Sequence, residues 1–383
     1  MLFKNYLGLH LTIQKFILLP KYQLPEGKCH IPVFCLRILF LFGISLCAVY
    51  DLSLIHLVSP TYIDVGSDVA TVLAFMEIVL VRTNIFSIVV HGLFKSKYHM
   101  EFLEMTIKFE DQLNNLTNRS INSKNVLNKC LKVLIILMWS FLCNIFFLLY
   151  RLAKCFSIRT VNWYLRLMIQ EFLHNFIIFY IIDYIDLITN YSSILERNLS
   201  NPANWQNMDM FNLTEKLFKL IKKLEKTFNI LIFYYIMYHI FSATFIFYFI
   251  IRRHIVNVQL TLLRTFIIIF ALIWFIRSIY FSFYLSFRCH KIHERMEKLL
   301  QTVLHADFET KSPKIRSAIK QIYMNRLHDK RKITAWGFYN IDLTVLLQFT
   351  SSFVTFLLII IQFKQYEDGE INKLLREAAI KMY

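Results

Sequence analysis

Residues 338–363 read FYNIDLTVLLQFTSSFVTFLLIIIQF, and Asp342 is the only charged residue among them. An α-helix rises about 1.5 Å per residue, so this stretch makes a rod of about 39 Å. The hydrocarbon core of a bilayer is about 30 Å thick, and a helix that crosses it needs roughly 20 mainly apolar residues. The stretch therefore predicts a transmembrane helix.

Six further apolar stretches precede it, and the composition agrees with them. The chain has 383 residues, of which 56% are hydrophobic and 18% are charged, whereas a soluble domain carries about 25% charged residues. The predicted spans are residues 33–57, 69–93, 131–150, 161–188, 230–251, 258–285 and 338–363. The sequence thus predicts an all-α, multi-pass membrane protein with seven transmembrane helices.

The distribution of Lys and Arg predicts the orientation of these spans. One set of alternate loops carries 28 Lys and Arg residues, and the other set carries 9. Cytoplasmic loops are the basic ones, so the N-terminus is expected inside and the C-terminus outside. The predicted order is a cytoplasmic segment (1–32), six membrane helices with cytoplasmic extensions (33–287), a cytoplasmic helical region (288–337), the seventh helix (338–363) and an extracellular tail (364–383).

One pattern conflicts with this orientation. Five Asn-x-Ser/Thr sequons, which accept glycans only outside the cytosol, fall in loops that we place inside: Asn115, Asn118, Asn190, Asn198 and Asn212. Such tripeptides arise by chance in Asn-rich stretches, so we follow the charge bias. A mass shift on deglycosylation would show that these loops lie outside and that the topology is the reverse of the predicted one.

Several spans are expected to continue as helices into the cytoplasm. Apolar residues recur near helical spacing across 208–229, just before the fifth span. Residues 288–304, RCHKIHERMEKLLQTVL, likewise extend the sixth span. The fourth span is interrupted by charged residues such as Arg166 and Asp183, so its inner end is expected to leave the bilayer. These extensions pack together or remain solvated loops; the pattern fits both.

The seventh span contains polar residues that an apolar environment does not favour. They are Gln348, Thr350, Ser351, Ser352, Thr355 and Gln362. Polar groups within lipid need partners, so this face is expected to meet protein or water. A helix that lines a pore and a helix that packs through small polar residues both satisfy that requirement.

The end of this span carries a recognisable motif. Thr355 and Phe356 are followed by five hydrophobic residues and then by Gln362 and Phe363. This resembles the C-terminal signature of insect gustatory receptors, in which Tyr usually stands at the position of Phe356. Ala335 and Gly337, ahead of Asp342, also look like the family's entry into its last helix.

The resemblance implies a ligand-gated, non-selective channel for monovalent and divalent cations in the plasma membrane of sensory neurons. It implies a tetramer, formed with copies of this chain or with related receptors, in which inner extensions of the later spans make the main subunit contacts. Sugar-sensing members carry Glu where this chain has Leu357. The expected small-molecule tastant is therefore a bitter or other non-sugar compound.

The resemblance also implies a pore along residues 355–363. Ile359 and Phe363 are then candidates for a hydrophobic gate, with Gln362 as a polar ring beside them and Thr355 and Phe356 at its start. Apolar constrictions close pores by dewetting, which agrees with this assignment. Phe356 has no hydroxyl, so any hydrogen bond made by the usual Tyr is absent.

By analogy with the family, a ligand pocket is expected in the outer half of spans two to six. The candidate residues there are Phe75, Glu77, Trp139, Trp163, Tyr164, Gln170, Glu171, Thr244 and Tyr248. Each is also compatible with packing or with anchoring at the lipid interface. Glu77 and Arg82 are costly in lipid and are expected to face the interior, where Glu171 and Arg264 are possible partners.

Other functions fit less well. A G-protein-coupled receptor has its N-terminus outside, and a transporter shows repeats and helices broken by Gly or Pro; both are kept as alternatives. No set of catalytic residues indicates an enzyme, and no cofactor is expected. The basic residues lie between apolar runs, which indicates a lipid bilayer and not nucleic acid. His290, His293 and Glu294 have no second cluster to complete a metal site.

Overall fold

The computed structural model describes residues 94–117, 158–256, 262–309 and 312–328, parts of 333–369, and scattered positions in 7–91 and 138–149. Most of predicted spans one to three lies outside these residues. The described elements are α1 (Ser96–Thr117), α2 (Ile158–Leu199), a 3₁₀ turn (Pro202–Gln206), α3 (Met208–Val256), α4 (Leu262–Glu309), α5 (Pro313–His328), β1 (Thr334–Ala335) and β2 (Tyr339–Asn340). An apolar helical segment follows at Thr350–Ile359.

Three long helices form the centre of the described structure. α2, α3 and α4 have 42, 49 and 48 residues, so each is about 60–75 Å long. That is roughly twice the thickness of the hydrocarbon core. α3 runs without a break from the amphipathic stretch into the predicted fifth span, and α4 extends the sixth span through residues 288–304. α3 and α4 are thus continuous helices across the stretches predicted as extensions.

The cytoplasmic halves of α3 and α4 each bury a regular apolar seam. On α4 it consists of Leu285, Cys289, Ile292, Met296, Leu299 and Val303, all buried. These positions alternate by four and three residues, which is the spacing of a left-handed helix pair. On α3 the seam includes Leu213, Leu217, Leu220 and Leu224, also buried. The hydrophobic effect therefore holds this half together, as in a soluble helix bundle.

The other half of α4 has the opposite arrangement. From residue 269 to 287, its described exposed positions are large and apolar or aromatic: Ile269, Leu272, Ile276, Ile279, Tyr280, Phe283 and Phe287. Beyond Phe287, the described exposed positions are Glu294, Glu297, Lys298, Gln301 and His305. The change from apolar to polar exposure between Phe287 and Glu294 marks where α4 passes from lipid to water. This agrees with the predicted inner end of the sixth span at residue 285.

Two short helices complete the cytoplasmic end. α1 packs on α3, and α5 packs on both α3 and α4. α5 buries Ile315, Ile319 and Ile322, which lie on one face of the helix. Tyr191 of α2 donates a hydrogen bond to Glu110 of α1 at 3.0 Å. The described cytoplasmic helices thus form one packed body at the inner end of α2–α4.

A small hairpin connects this body to the C-terminal segment, by which we mean the described positions of residues 344–366. β1 and β2 pair antiparallel, with Thr334 opposite Asn340. Gly337 lies in the turn with φ +79, a conformation that residues with a Cβ rarely adopt. Asp342 then accepts a hydrogen bond from Thr344 N at 2.9 Å, which caps the start of the last helix.

The lipid-facing half of α4 is testable by introducing charge. Ile276→Lys places an ammonium at a position that is 56% exposed, and a lysine near the centre of a membrane helix costs about 2.5–3.5 kcal/mol. The yield of folded protein, measured by size-exclusion chromatography after detergent extraction, is expected to fall sharply. Gln301→Lys, on the same helix beyond the boundary, is the matched control and is expected to keep the wild-type yield. Equal yields for the two variants contradict the assignment.

Candidate functional site

A buried ion pair ties α2 to α4 inside the membrane half. Arg277 donates from Nη1 to Glu171 Oε2 at 3.1 Å and from Nη2 to Glu171 Oε1 at 2.9 Å. The Tyr238 hydroxyl of α3 donates to the same Oε1 at 3.2 Å. The guanidinium carbon lies 5.0 Å from the Trp274 ring centroid. One carboxylate therefore connects α2, α3 and α4.

The pairing explains how two charges are tolerated at this depth. The side chains of Arg277 and Glu171 are 2% and 6% exposed. An unpaired ion within a membrane is costly, whereas a bidentate pair satisfies both partners with charge-assisted hydrogen bonds. The pair as a whole carries no net charge. The interior of the bundle is thus polar here without attracting ions of either sign.

Aromatic and imidazole rings pack next to this pair. His174 of α2 is stacked on Tyr235 of α3, with centroids 4.6 Å apart and an interplanar angle of 21°. His239 meets Tyr235 edge-on at 4.4 Å and lies 5.7 Å from Phe281 of α4. The Asn84 side-chain amide bonds His174 Nδ1. These rings give the interior flat apolar faces beside polar atoms.

Several buried polar atoms in this region make no hydrogen bond to any described residue. They are both ring nitrogens of His239, Nε2 of His174, and the hydroxyl oxygens of Ser242, Ser278 and Ser282. Buried polar groups in proteins are nearly always bonded. These atoms depart from that rule among the described residues. We refer to Glu171, Arg277, these atoms and the adjoining rings as the polar cluster.

The polar cluster has a mixed chemistry. It combines aromatic faces with hydrogen-bonding groups, as small-molecule sites do. Among the described residues, no group of three or more His, Cys, Asp or Glu side chains is placed to hold a metal ion. Most of this cluster was not predicted from the sequence, although Glu171 and His174 are three residues apart and so share a helix face. Glu171 was expected as a possible partner of Glu77 or Arg82, and the structure pairs it with Arg277.

The C-terminal segment exposes a continuous face. Gln348, Ser351, Thr355, Ile359 and Gln362 are all exposed, and at 100° per residue they fall within an arc of about 80°. The Thr355 hydroxyl donates to Ser351 O at 2.9 Å, so it is satisfied within its own helix. Between residues 348 and 362, four of the five described residues on this face are polar. We call it the polar stripe.

The other side of the segment packs on α3 and α4. Phe353 lies 5.3 Å from Phe247 of α3 and 5.7 Å from Phe275 of α4, measured between ring centroids. Phe356 lies 5.5 Å from Phe241 of α3. Phe356 is about 100° around the helix from Thr355. The residue that replaces the usual Tyr is therefore in contact with α3 and lies beside the polar stripe.

At the inner end of the bundle, burial disfavours the charged forms of two basic side chains, His99 and Lys95. Burial lowers the pKa of His99 to about 4, so its ring is neutral at physiological pH, and it bonds the Tyr180 hydroxyl at 2.6 Å. Burial, and then the nearby Lys226, lower the pKa of Lys95. Lys95 Nζ donates to Lys226 O at 3.0 Å. These contacts fix α1 against α2 and α3.

The predicted ligand residues are only partly described. Glu171 belongs to the polar cluster, and Thr244 is buried and donates to Ile240 O at 2.9 Å. Arg82 is also buried. Trp163, Tyr164, Gln170 and Tyr248 lie in α2 or α3, but their side chains are outside the described part. Phe75, Glu77, Trp139 and the predicted gate residue Phe363 lie outside the described residues altogether.

Comparison with known proteins decides the family. A family model described as 7tm chemosensory receptor matches residues 21–367. The chain belongs to the 7tm chemosensory receptor family. This confirms the resemblance drawn from the C-terminal motif, and it makes the chain a multi-pass, all-α membrane receptor and not an enzyme.

A solved structure supports the fold of this receptor. The insect olfactory receptor OR5 from Machilis hrabei matches with a TM-score of 0.55 and 13% sequence identity, over 94% of this chain and 100% of that chain. At this identity, the likeness concerns the fold alone. No curated protein sequence matches the receptor.

The ion pair of the polar cluster is testable by a double-mutant cycle. Arg277→Met leaves Glu171 without its bidentate partner, and breaking a buried pair costs about 3–5 kcal/mol. The thermal midpoint of the purified receptor in detergent is expected to fall strongly. The double variant Glu171→Gln, Arg277→Met removes both charges and is expected to recover part of that loss.

The matched control for this cycle is Lys298→Met, which removes a surface partner of Glu294 on α4. Exposed pairs contribute little, so no measurable change is expected. A double variant no more stable than Arg277→Met shows that the two charges are not coupled, which contradicts the description of Glu171 and Arg277 as a stabilising ion pair.

Proposed function

We propose that this receptor is a taste receptor of the gustatory type that acts as a ligand-gated, non-selective cation channel. It forms a tetramer with copies of itself or with related receptors in the plasma membrane of sensory neurons. Monovalent and divalent cations pass along the C-terminal segments. The stimulus is a bitter or other non-sugar small molecule.

The polar stripe is the observation that carries this proposal. A single chain would present Gln348, Ser351, Thr355 and Gln362 to lipid, where unpaired polar groups are costly. Assembly of several copies around an axis lets the same face meet water. Phe353, on the opposite side, and Phe356, beside the stripe, hold each segment to its own subunit. Ile359 then narrows the conduit next to Gln362, which supports Ile359 and Phe363 as gate residues that close by dewetting.

The polar cluster supports a small-molecule ligand without formal charge. Glu171 and Arg277 neutralise each other, so neither is free to hold a charged group. In this proposal Glu171 forms the floor of the pocket. Thr244 lies five residues beyond His239 on α3, nearer the outer side in the predicted orientation. The remaining predicted contacts complete the outer pocket: Glu77, Trp139, Trp163, Tyr164 and Tyr248.

The test is expression of the full chain in cells without endogenous chemoreceptors, with G-protein signalling blocked. Caffeine, theobromine, coumarin, sucrose, glucose and fructose, all uncharged at neutral pH, are applied while whole-cell current is recorded. The proposal expects a current evoked by at least one bitter compound and by no sugar. Uptake of a labelled compound without current would indicate a transporter. A response that disappears when G-protein signalling is blocked would indicate a G-protein-coupled receptor.

Substitution of Gln362 tests the pore assignment separately. Gln362→Glu adds one carboxylate per subunit to the conduit, and rings of acidic side chains favour cations. The reversal potential is expected to shift toward higher Ca²⁺ permeability relative to Na⁺. Leu357→Met, on the half-buried side of the same segment, is the control and is expected to leave the reversal potential unchanged. If Gln362→Glu alters neither permeation nor gating, this face does not line the pore.

A further inference from the structure

One acidic residue in the cytoplasmic body has an unusual partner. Glu225 lies on α3 among Lys222, Lys223 and Lys226, yet the hydrogen bonds that its carboxylate makes run to the hairpin. Glu225 Oε1 accepts from Thr334 Oγ1 at 2.6 Å and from Thr334 N at 3.2 Å. Both donors belong to one residue, and one of them is the backbone. The carboxylate therefore fixes the hairpin strand itself and not only a side chain.

The hairpin needs such a tie. Each of its strands has two residues, and an isolated two-stranded hairpin is marginally stable in water. It is closed by a bond from Ile341 N to Ile333 O at 2.8 Å. Ala335 and Ile341 are buried, at 0% and 1% exposure. β1 packs against α3. The hairpin is thus held to α3 by two kinds of contact, the hydrogen bonds to Glu225 and this small buried apolar surface. We call this contact the dock.

The dock lies immediately before the C-terminal segment. β2 ends at Asn340, and two residues later Asp342, which is 5% exposed, caps the first helical turn through Thr344. No long linker separates the two elements, so there is little slack between them. A displacement of the hairpin therefore displaces the inner end of the polar stripe.

α3 also holds the same segment within the membrane. Phe241 contacts Phe356 and Phe247 contacts Phe353. Glu225 and Phe241 are 16 residues apart on one unbroken helix, a distance of about 24 Å. Between them, Tyr235, Tyr238 and His239 contribute to the polar cluster. α3 thus bonds the hairpin at Glu225, contributes to the polar cluster further along, and contacts the C-terminal segment at Phe241 and Phe247.

We propose that Glu225 and Thr334 form a clamp that positions the gate, by making the inner end of the C-terminal segment move with α3. This rests on the proposed channel function, because the gate is that of the proposed pore. Glu225 and Thr334 are positioning residues, which touch neither ligand nor permeating ion. Without the clamp, motion of α3 reaches the segment through the Phe241 and Phe247 contacts alone.

The first measurement is hydrogen–deuterium exchange of the purified full-length receptor, followed by mass spectrometry of peptides that cover residues 333–342. Thr334→Val keeps the shape and removes the hydroxyl donor, and Glu225→Gln removes the charge. Both are expected to speed exchange by at least about tenfold, as loss of a charge-assisted hydrogen bond does. Thr334→Ser keeps the donor and is expected to match the wild type. Glu215→Gln, which breaks a surface pair with Lys219 on the same helix, is the matched control.

The second measurement is the current evoked by the same six compounds, normalised to the amount of receptor at the cell surface. Thr334→Val and Glu225→Gln are expected to lower it at least about fivefold, the scale of a coupling lost between two sites. Thr334→Ser and Glu215→Gln are expected to retain it.

Two results overturn the clamp: unchanged exchange in Thr334→Val, or faster exchange with the current preserved. A wild type that conducts with none of the compounds counts against the proposed channel function instead. In that case the exchange measurement alone decides whether the clamp exists.

Discussion

The structure depends on one constraint, which is that each of its three central helices lies in two solvents. In water the apolar side of a helix must be inward, and in lipid the apolar side is outward while polar groups are gathered inside. α4 satisfies both conditions along a single rod. Leu285 to Val303 form an inward apolar seam, and Ile269 to Phe287 include an outward apolar surface. The interior of the membrane part is therefore the polar cluster, and the interior of the cytoplasmic body is apolar.

The same constraint relates the polar cluster to the polar stripe. Lipid cannot solvate Glu171 or Arg277, so the two charges bond each other and lock three helices together. Lipid cannot solvate Gln348 or Gln362 either, but these side chains find no partner within the described part of their own subunit's bundle. A face of this kind is satisfied by a neighbouring subunit or by water in a conduit. α3 contributes to the polar cluster, packs on the C-terminal segment through Phe241 and Phe247, and bonds the hairpin ahead of that segment through Glu225.

The sequence predicted the helices well because length and hydropathy are local properties. The continuation of α3 and α4 into the cytoplasm was visible in the apolar spacing, and the C-terminal motif indicated the family. The partners of buried groups were harder to predict, because they depend on how helices are rotated against each other. Nothing in the sequence indicated that Arg277 bonds Glu171 or that Phe356 contacts Phe241. Glu225 resembled any acid in a basic helix until its contact with Thr334, 109 residues away, was seen.

The most direct test of this account places a nitroxide at successive exposed positions of α4 and compares its collisions with oxygen, which concentrates in lipid, and with a water-soluble nickel chelate. Labels at residues 276, 283 and 287 are expected to meet mainly oxygen. Labels at residues 294, 297 and 301 are expected to meet mainly the chelate. A reversal between 287 and 294 agrees with a helix that crosses from lipid to water there. Equal access to the chelate along the whole helix contradicts the account.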